Sequence, residues 1–402
     1  MTIPAFIRTH GLAADGIPGA ECLALLLREM ELGLQGTGRL PMIPSYLSLD
    51  IRPAAAVPCC VIDAGGTNLR LARAEFTADG RCHLERIQKT AMPGTRSALS
   101  SEEFYSTLAG LAVATGAAER IGLCFSYTVA LERDLDGILH AWCKEVQVPD
   151  ALGKPVGASL LQSTGGVCRH ICVLNDSVAA LLGAHSRDPE VTLGLILGTG
   201  INVCYSEKTG QIPKLPPDVA SDCMIISTEV GEFDGFPKNA FEEAVIRSSD
   251  DPDIAPGEKQ CAGAYLGDVI SLAWQAAARA GLIDGTFLRN FTLPEISDYL
   301  GNTNPELPED SGAVEIAAAM IHRAAKIAAV LTAGPVLKSC PSGNTCTLVI
   351  EGSQYWKLTG FRECFDRELA ALLAPQSIRI SVVKSDNSCL LGAALAAFAE
   401  PM

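Results

Sequence analysis

The sequence predicts an α/β protein built from two similar domains that face one another. Residues 57–76, VPCCVIDAGGTNLRLARAEF, read as strand, Gly-Gly turn, strand. Residues 191–208, VTLGLILGTGINVCYSEK, repeat that pattern, and each hairpin heads a further run of strands and helices. The length of 402 residues exceeds one small core and fits two domains of ordinary size.

The first element in order is a helix over 20–35, where Leu23, Leu26, Met30 and Leu34 share one face and Gly33 and Gly36 suit the C-terminal end. In the first hairpin residues 57–62 are a short apolar run, and Leu69 and Leu71 alternate with Arg70. A strand over 83–88, a helix from about 102 to 114 and a strand over 121–125 follow. Residues 171–174 read as a strand leading into a helix from about Ser177. Beyond the second hairpin, 347–350 and 378–383 read as strands, each followed by a helix, while 248–257 and 301–312 are polar loops.

Hydrophobic residues make up 48% of the chain and charged ones 19%, which suits a packed core better than long disorder. A formal charge of −15 repels phosphate backbones and anionic lipid, so neither nucleic acid nor membrane is an expected partner. A nucleotide arriving with Mg²⁺ binds local backbone dipoles and escapes that argument. The 15 cysteines include adjacent Cys59 and Cys60, with no CxxC pair and no zinc-like spacing. Most, like Cys172 and Cys204, sit in apolar runs, which reads as a reduced, cytoplasmic protein. The opening MTIPAFIRTHGLAADG lacks the features of a signal peptide. The Ala-rich run 313–337 comes closest to a membrane span but contains Glu315, His322, Arg323 and Lys326.

Some segments carry residue types suited to phosphoryl transfer, which needs backbone N–H groups around phosphates, a metal, and a base for the acceptor hydroxyl. Asp63 and the turn Gly65-Gly66-Thr67-Asn68 end an apolar strand, where glycines admit phosphate oxygens and a carboxylate can orient Mg²⁺ directly or through water. The same residues suit a plain hairpin. Gly198-Thr199-Gly200 is a second such turn, or simply a tight one. Asn175-Asp176 ends a strand and opens a helix, so Asp176 is either the helix cap or a general base aimed into a cleft. Glu229 and Glu258 suit sugar hydroxyls, each carboxylate accepting two hydrogen bonds, though each is also one of 46 acidic residues.

Taken in order, these segments resemble the hexokinase family over nearly the whole chain. LREMELGLQG and LPMIPSYL resemble its N-terminal helix and following loop; VIDAGGTNLRLARAEF and LGLILGTGINVCY its two phosphate motifs; IGLCFSYTV and AWCKE its sugar segments. VLNDSVAALL resembles the catalytic-base motif, ISTEVGEF and EKQCAGAYLGD the two glutamate motifs, and VIEGSQYWK and LLGAALAAF the adenosine-side segments.

The resemblance implies two ribonuclease-H-like (actin-like) domains around a cleft: a small one of 55–174 plus 391–402 and a large one of 1–54 plus 175–390. It implies that ATP with Mg²⁺ phosphorylates the 6-hydroxyl of a hexose. Asp176 would be the base, and Lys144 a sugar or phosphate contact. Ser126, Cys143, Asn175, Asn202, Glu229 and Glu258 would bind sugar. Asp63, Gly65, Gly66, Thr67, Asn68, Arg70, Gly198 and Thr199 would serve phosphate and metal, with Gly352 and Ser353 near the nucleotide.

The chain departs from the family pattern at Cys143, where the family has Thr, at Ser227, where it has Asn, at Thr128, where it has Pro, and at Ser388-Cys389, where it has Gly-Ser. These changes bear on which sugar is taken and how tightly sugar and nucleotide bind. A kinase for another sugar or amino sugar, and a non-catalytic sugar sensor, remain alternatives; an actin-like filament protein would not need the sugar segments.

Overall fold

The computed structural model describes residues 1–66, 68–116, 118–142, 146–303 and 307–401. Its strands are β1 Ile43–Pro44, β2 Pro58–Ala64, β3 Asn68–Phe76, β4 Cys82–Ala91, β5 Arg120–Phe125, β6 Thr128–Leu131, β7 Gly137–Ala141 and β8 His170–Leu174. They continue as β9 Val191–Leu197, β10 Ile201–Lys208, β11 Cys223–Ser227, β12 Thr345–Glu351 and β13 Arg379–Val383.

Two main sheets share one plan. The first has the order β4-β3-β2-β5-β8, with β2, β3 and β4 antiparallel and β5 and β8 parallel to β2. The second runs β11-β10-β9-β12-β13 in the same sense, with the short β1 added beside β11. Each is thus a meander of three strands followed by two parallel additions, the actin-like arrangement. β6 and β7 form a separate hairpin.

The expected elements match closely, with β2, β5 and β9 buried almost throughout, and β8 buried over its last three residues, because helices cover them. Leu23, Leu26, Met30 and Leu34 face the core from helix Gly19–Leu34. The Ala-rich run forms the 29-residue helix Ser311–Ser339, mostly buried in the core of the second sheet. Its interior Arg323 is bonded to Glu242 at 2.7 Å, so its charge is matched inside the protein. β11, the β6–β7 hairpin and helix Gly263–Arg279 fall where the sequence showed only motifs or irregular punctuation.

Helix Asp176–His185 and helix Ser388–Ala396 join the two sheets in a shared core with Val61, Cys124, Leu174, Val191 and Val349. They approach through glycine. A Cβ on Gly392 would lie 1.8 Å from the Ala179 carbonyl oxygen, and one on Gly183 would lie 2.0 Å from that of Ser388. Gly122 of β5 leaves equal room for the Ala393 carbonyl. A division at 390/391 falls inside this second helix, which packs as one piece on β2 and β5.

Gly392→Ala therefore forces the two helices apart and costs about 1–3 kcal/mol or more. Chemical denaturation should show a lower midpoint for this variant. Gly110→Ala, on an exposed helix face with open space around it, should show none. Equal midpoints for Gly392→Ala and wild type would refute the close contact.

Candidate active site

The first glycine turn joins β2 to β3. Tyr127, just past β5, clamps it: its hydroxyl donates to the carbonyls of Gly65 at 3.3 Å and Gly66 at 3.2 Å. The Ser126 N–H reaches the Ala64 carbonyl at 3.2 Å, which fixes Ser126 beside the turn. Asp63 and Arg70 are directly opposed across the β2–β3 ladder. The buried Asp63 carboxylate accepts from Arg70 Nε at 2.7 Å and also pairs with its Nη2. Asn68 is exposed at the start of β3. Thr67, Cys143 and Lys144 lie outside the described residues. Their neighbour Trp142 packs edge-on to Phe104 and Tyr127, its Nε1–H donating to the Val148 carbonyl at 2.7 Å.

At the junction, Asn175 and not Asp176 is the helix cap. Its Oδ1 accepts the Ser177 N–H at 2.8 Å and hydroxyl at 2.7 Å. Residues 177–184 are buried, whereas Asp176 opens the helix half-exposed. The Asp63 and Asp176 charges both act on the buried Cys124 thiol, whose pKa is pushed well up first by its bond to Cys389 and then by burial. Both carboxylates therefore lie within electrostatic reach of that thiol.

The opposite wall comes from β10 and the segment after β11. Asn202 Nδ2 donates to Glu229 Oε1 at 2.6 Å and to Ser227 Oγ at 2.9 Å, and the Ser227 hydroxyl donates to Glu229 Oε1 at 2.8 Å. Glu229 has a left-handed backbone, φ 55°, which costs a non-glycine residue about 1–3 kcal/mol. Its N–H is held by Asn202 Oδ1 at 3.0 Å. Ser227, expected to bear on the sugar directly, is buried beneath this wall. Burial pushes the Glu229 carboxyl above the ordinary glutamate pKa; the Ser227 bond opposes this and the nearby Asp176 charge adds to it. Glu258, on helix Pro256–Cys261, accepts the Ile201 N–H at 2.9 Å. A side chain on Gly200 would strike the Glu258 carboxylate at 2.5 Å, so the second turn needs glycine there.

That turn is anchored from behind: the Gly198 carbonyl accepts the Gly263 N–H at 2.8 Å and the Thr199 carbonyl the Ala264 N–H at 3.1 Å. Gly352, at φ 123°, passes so close that a Cβ would sit 2.2 Å from the Leu197 carbonyl oxygen. Thr199 and Ser353 are exposed around it. A cavity of about 330 Å³ opens beside Ala264, lined also by Asp268, Asn290, Phe291 and Thr292. Sequence reasoning missed these residues, and it missed Glu351. That half-buried carboxyl accepts from the Ser388 hydroxyl; burial pushes its pKa up, against the Ser388 bond and the Arg70 charge.

Among the described residues no cluster of three or more Asp, Glu, His or Cys side chains could cage a metal. Two neighbouring carboxylates, Asp63 and Glu351, suit Mg²⁺ carried in on phosphates, since that ion takes few protein ligands and keeps its waters.

Two actin-like domains, two backbone-anchored glycine turns and a wall of carboxylates define a sugar-phosphotransferase class of protein. The hexokinase family models match residues 20–186 and 192–399. The chain belongs to the hexokinase family. It is 28% identical to Hexokinase-7 of Oryza sativa subsp. japonica, over 98% of this chain and 94% of that protein. It is 29% identical to Hexokinase-4, chloroplastic, of the same plant, over 92% and 83%. A solved hexokinase from Schistosoma mansoni complexed with glucose superposes with a TM-score of 0.83 at 20% identity, over 99% of this chain and 100% of that one. A ROK family glucokinase from Streptomyces griseus in complex with glucose and AMPPNP gives 0.50 at 18%, over 84% and 98%.

The Glu229 shift sets a pH dependence. A carboxylate acceptor is complete above its pKa and lost as pH falls through it, and here that pKa lies above the ordinary value. The KM for hexose should therefore rise on the acid side, starting above the usual glutamate range. Glu229→Gln should flatten that limb, with KM raised above the limb and converging on wild type below it. An unchanged acid limb in this variant would assign it to another group.

Proposed function

We propose that this chain is an ATP-dependent hexokinase that transfers the γ-phosphoryl group of MgATP to the 6-hydroxyl of glucose or a related hexose, in the cytoplasm. The observation that carries this reading is the wall built beside the second glycine turn, where Glu258 accepts the Ile201 N–H and Glu229, bonded to Asn202 and Ser227, lies within the reach of the Asp176 charge.

Glu229, Glu258, Asn175 and Ser126 hold the sugar hydroxyls, with Cys143 and Lys144 assigned to the same cleft on motif alone. Asp176 takes the proton of the 6-hydroxyl at a carboxylate oxygen as the sugar oxygen forms its bond to the γ-phosphorus. The bond from that phosphorus to the bridging oxygen breaks, and ADP leaves with the electron pair. N–H groups of the two turns face the phosphates, and the cavity beside Thr199 takes the nucleoside. Asp63 would hold Mg²⁺ through water, and the ion would supply neutralisation of phosphate charge; Arg70 orients the Asp63 carboxylate. Closure of the domains over the sugar excludes water and limits ATP hydrolysis.

Asp176→Ala should lower kcat by about 10²–10⁴-fold or more, as expected for loss of a general base, while hexose binding survives in calorimetry. Near wild-type kcat would remove Asp176 from the role. Small-angle scattering should show a smaller radius of gyration on adding saturating hexose without nucleotide. An unchanged profile would sink sugar-driven closure.

A further inference from the structure

We propose that Lys214 is a positioning residue for hexose binding: its ammonium group clips a strained strap, residues 33–42, in place, and the strap holds the backbone that enters Glu229. The inference rests on the hexokinase reading above for its sugar readout, and on the fold alone for the clip.

An ammonium group has three N–H bonds. Lys214, in the loop from β10 to β11, directs all three to backbone carbonyls. Its Nζ donates to Gly33 at 2.9 Å, near the end of helix Gly19–Leu34, and to Pro41 and Met42 at 2.6 Å each. Among the described residues no carboxylate pairs with it, and burial lowers its pKa to about 8, so at pH 7 it keeps its proton. A half-buried cation without a carboxylate carries a desolvation cost. The groups it satisfies here are backbone: the open carbonyl end of a helix and the chain that leaves it.

The clipped strap ends in strain. Met42 is fully buried at φ 45°, and Glu229 lies at φ 55°, so each is a non-glycine residue in the left-handed region. Such conformations persist only where the surroundings over-determine them. The Met42 N–H donates to the Thr228 carbonyl at 3.4 Å, and that carbonyl belongs to the peptide that enters Glu229. The contact extends the β1–β11 pairing, in which Ile43 opposes Ser227 and Pro44 opposes Ile226. Lys214 thus holds the Met42 carbonyl while the Met42 N–H holds the Thr228–Glu229 peptide. Within the strap, Arg39 Nε donates to the Glu232 carbonyl at 2.9 Å, so the strap grips the wall on both sides of Glu229.

The test is Lys214→Ala in the whole chain, assayed at pH 7 with and without propylammonium, which restores the missing carbons and the ammonium group of the side chain. Binding of the hexose that wild type phosphorylates, measured by calorimetry, should weaken by about three-fold or more, and its KM should rise to match, within the range for coupling carried through packed neighbours. The KM for ATP should stay within about two-fold. Propylammonium should repair the loss and propanol should not, since only the cation can donate three hydrogen bonds. Hydrogen–deuterium exchange in the sugar-free protein should rise over residues 225–233 and fall back with propylammonium.

Lys214→Gln, which keeps two N–H donors but no charge, should show the same pattern more weakly, and it carries the test if Lys214→Ala fails to fold. Hexose binding unchanged from wild type in folded Lys214→Ala would overturn the proposal. So would equal losses in the KM values for hexose and ATP, the signature of general loosening. A loss that propylammonium fails to repair, or that propanol repairs as well, would overturn it too. For Lys214→Gln the overturning result is exchange over residues 225–233 identical to wild type. Failure of wild type to phosphorylate any hexose would instead reject the hexokinase reading, and the exchange measurement, which needs no sugar, would still decide whether Lys214 holds the Glu229 backbone.

Discussion

The constraint on which the molecule depends is the glycine-to-backbone contact between helix Asp176–His185 and helix Ser388–Ala396. One helix follows the last strand of the first sheet and the other follows the last strand of the second. Their closeness brings the strand ends of both sheets to one place. Asp176, at the N-terminus of the first helix, and Ser388, at that of the second, then share a junction with Asp63 and Glu351. Backbone meeting backbone leaves no side chain to repack, so the crossing of the two helices is stiff.

The site's charges are held in different ways on its two sides. Asp63 is paired with the Arg70 guanidinium, so its charge is matched by a cation opposite it on the ladder. Glu229 is held by the neutral Asn202 and Ser227 side chains, donors that orient a carboxylate without cancelling its charge, and Glu258 accepts the Ile201 N–H. Helix Pro256–Cys261, which carries Glu258, is only one and a half turns long and cannot be stable by itself. Ion pairs bracket it, one of them, Arg323–Glu242, buried on both sides. Lys259 is fully buried, with its ammonium 2.7 Å from Asp251 Oδ1 and 2.7 Å from the Ile254 carbonyl, which ties the polar loop to the helix. Gln260 donates to Glu242, which is held by Arg323. Charges this deep specify one arrangement, because each left unpaired would be costly.

Much of this was legible in the sequence because period and punctuation are local. Two apolar strands ending in glycines gave both sheets their first hairpins, and Leu23, Leu26, Met30 and Leu34 announced a core face. Asp63, Asn175, Asp176, Glu229 and Glu258 were found through motif order, since as single acids they were indistinguishable from surface residues. What was not legible is non-local. Nothing near Gly392 indicates that Ala179 will press against it, and nothing near Glu351 indicates that Ser388 will donate to it. β11 was hidden for a related reason: buried on both faces, it shows an apolar run too short to separate from its surroundings.

The departures from the family pattern that the structure describes within the core share one physical character, and it bears on how such sites change. Ser227 turns to Asn202 and Glu229; Ser388 turns to Glu351; Cys389 lies against Cys124 with its thiol 3.8 Å from the Asp176 carbonyl. Each replaces one small or polar side chain by another whose hydrogen bonds close within the protein. None leaves a buried group stranded, and none adds a charge. Asp176, the glycine turns, Glu229 and Glu258 keep their places while the layer supporting them differs from the family pattern. In such a layer the supporting donors, Asn202 and Ser227, fix how the Glu229 carboxylate is held, so a change buried beneath the wall acts on that carboxylate without altering Glu229 itself.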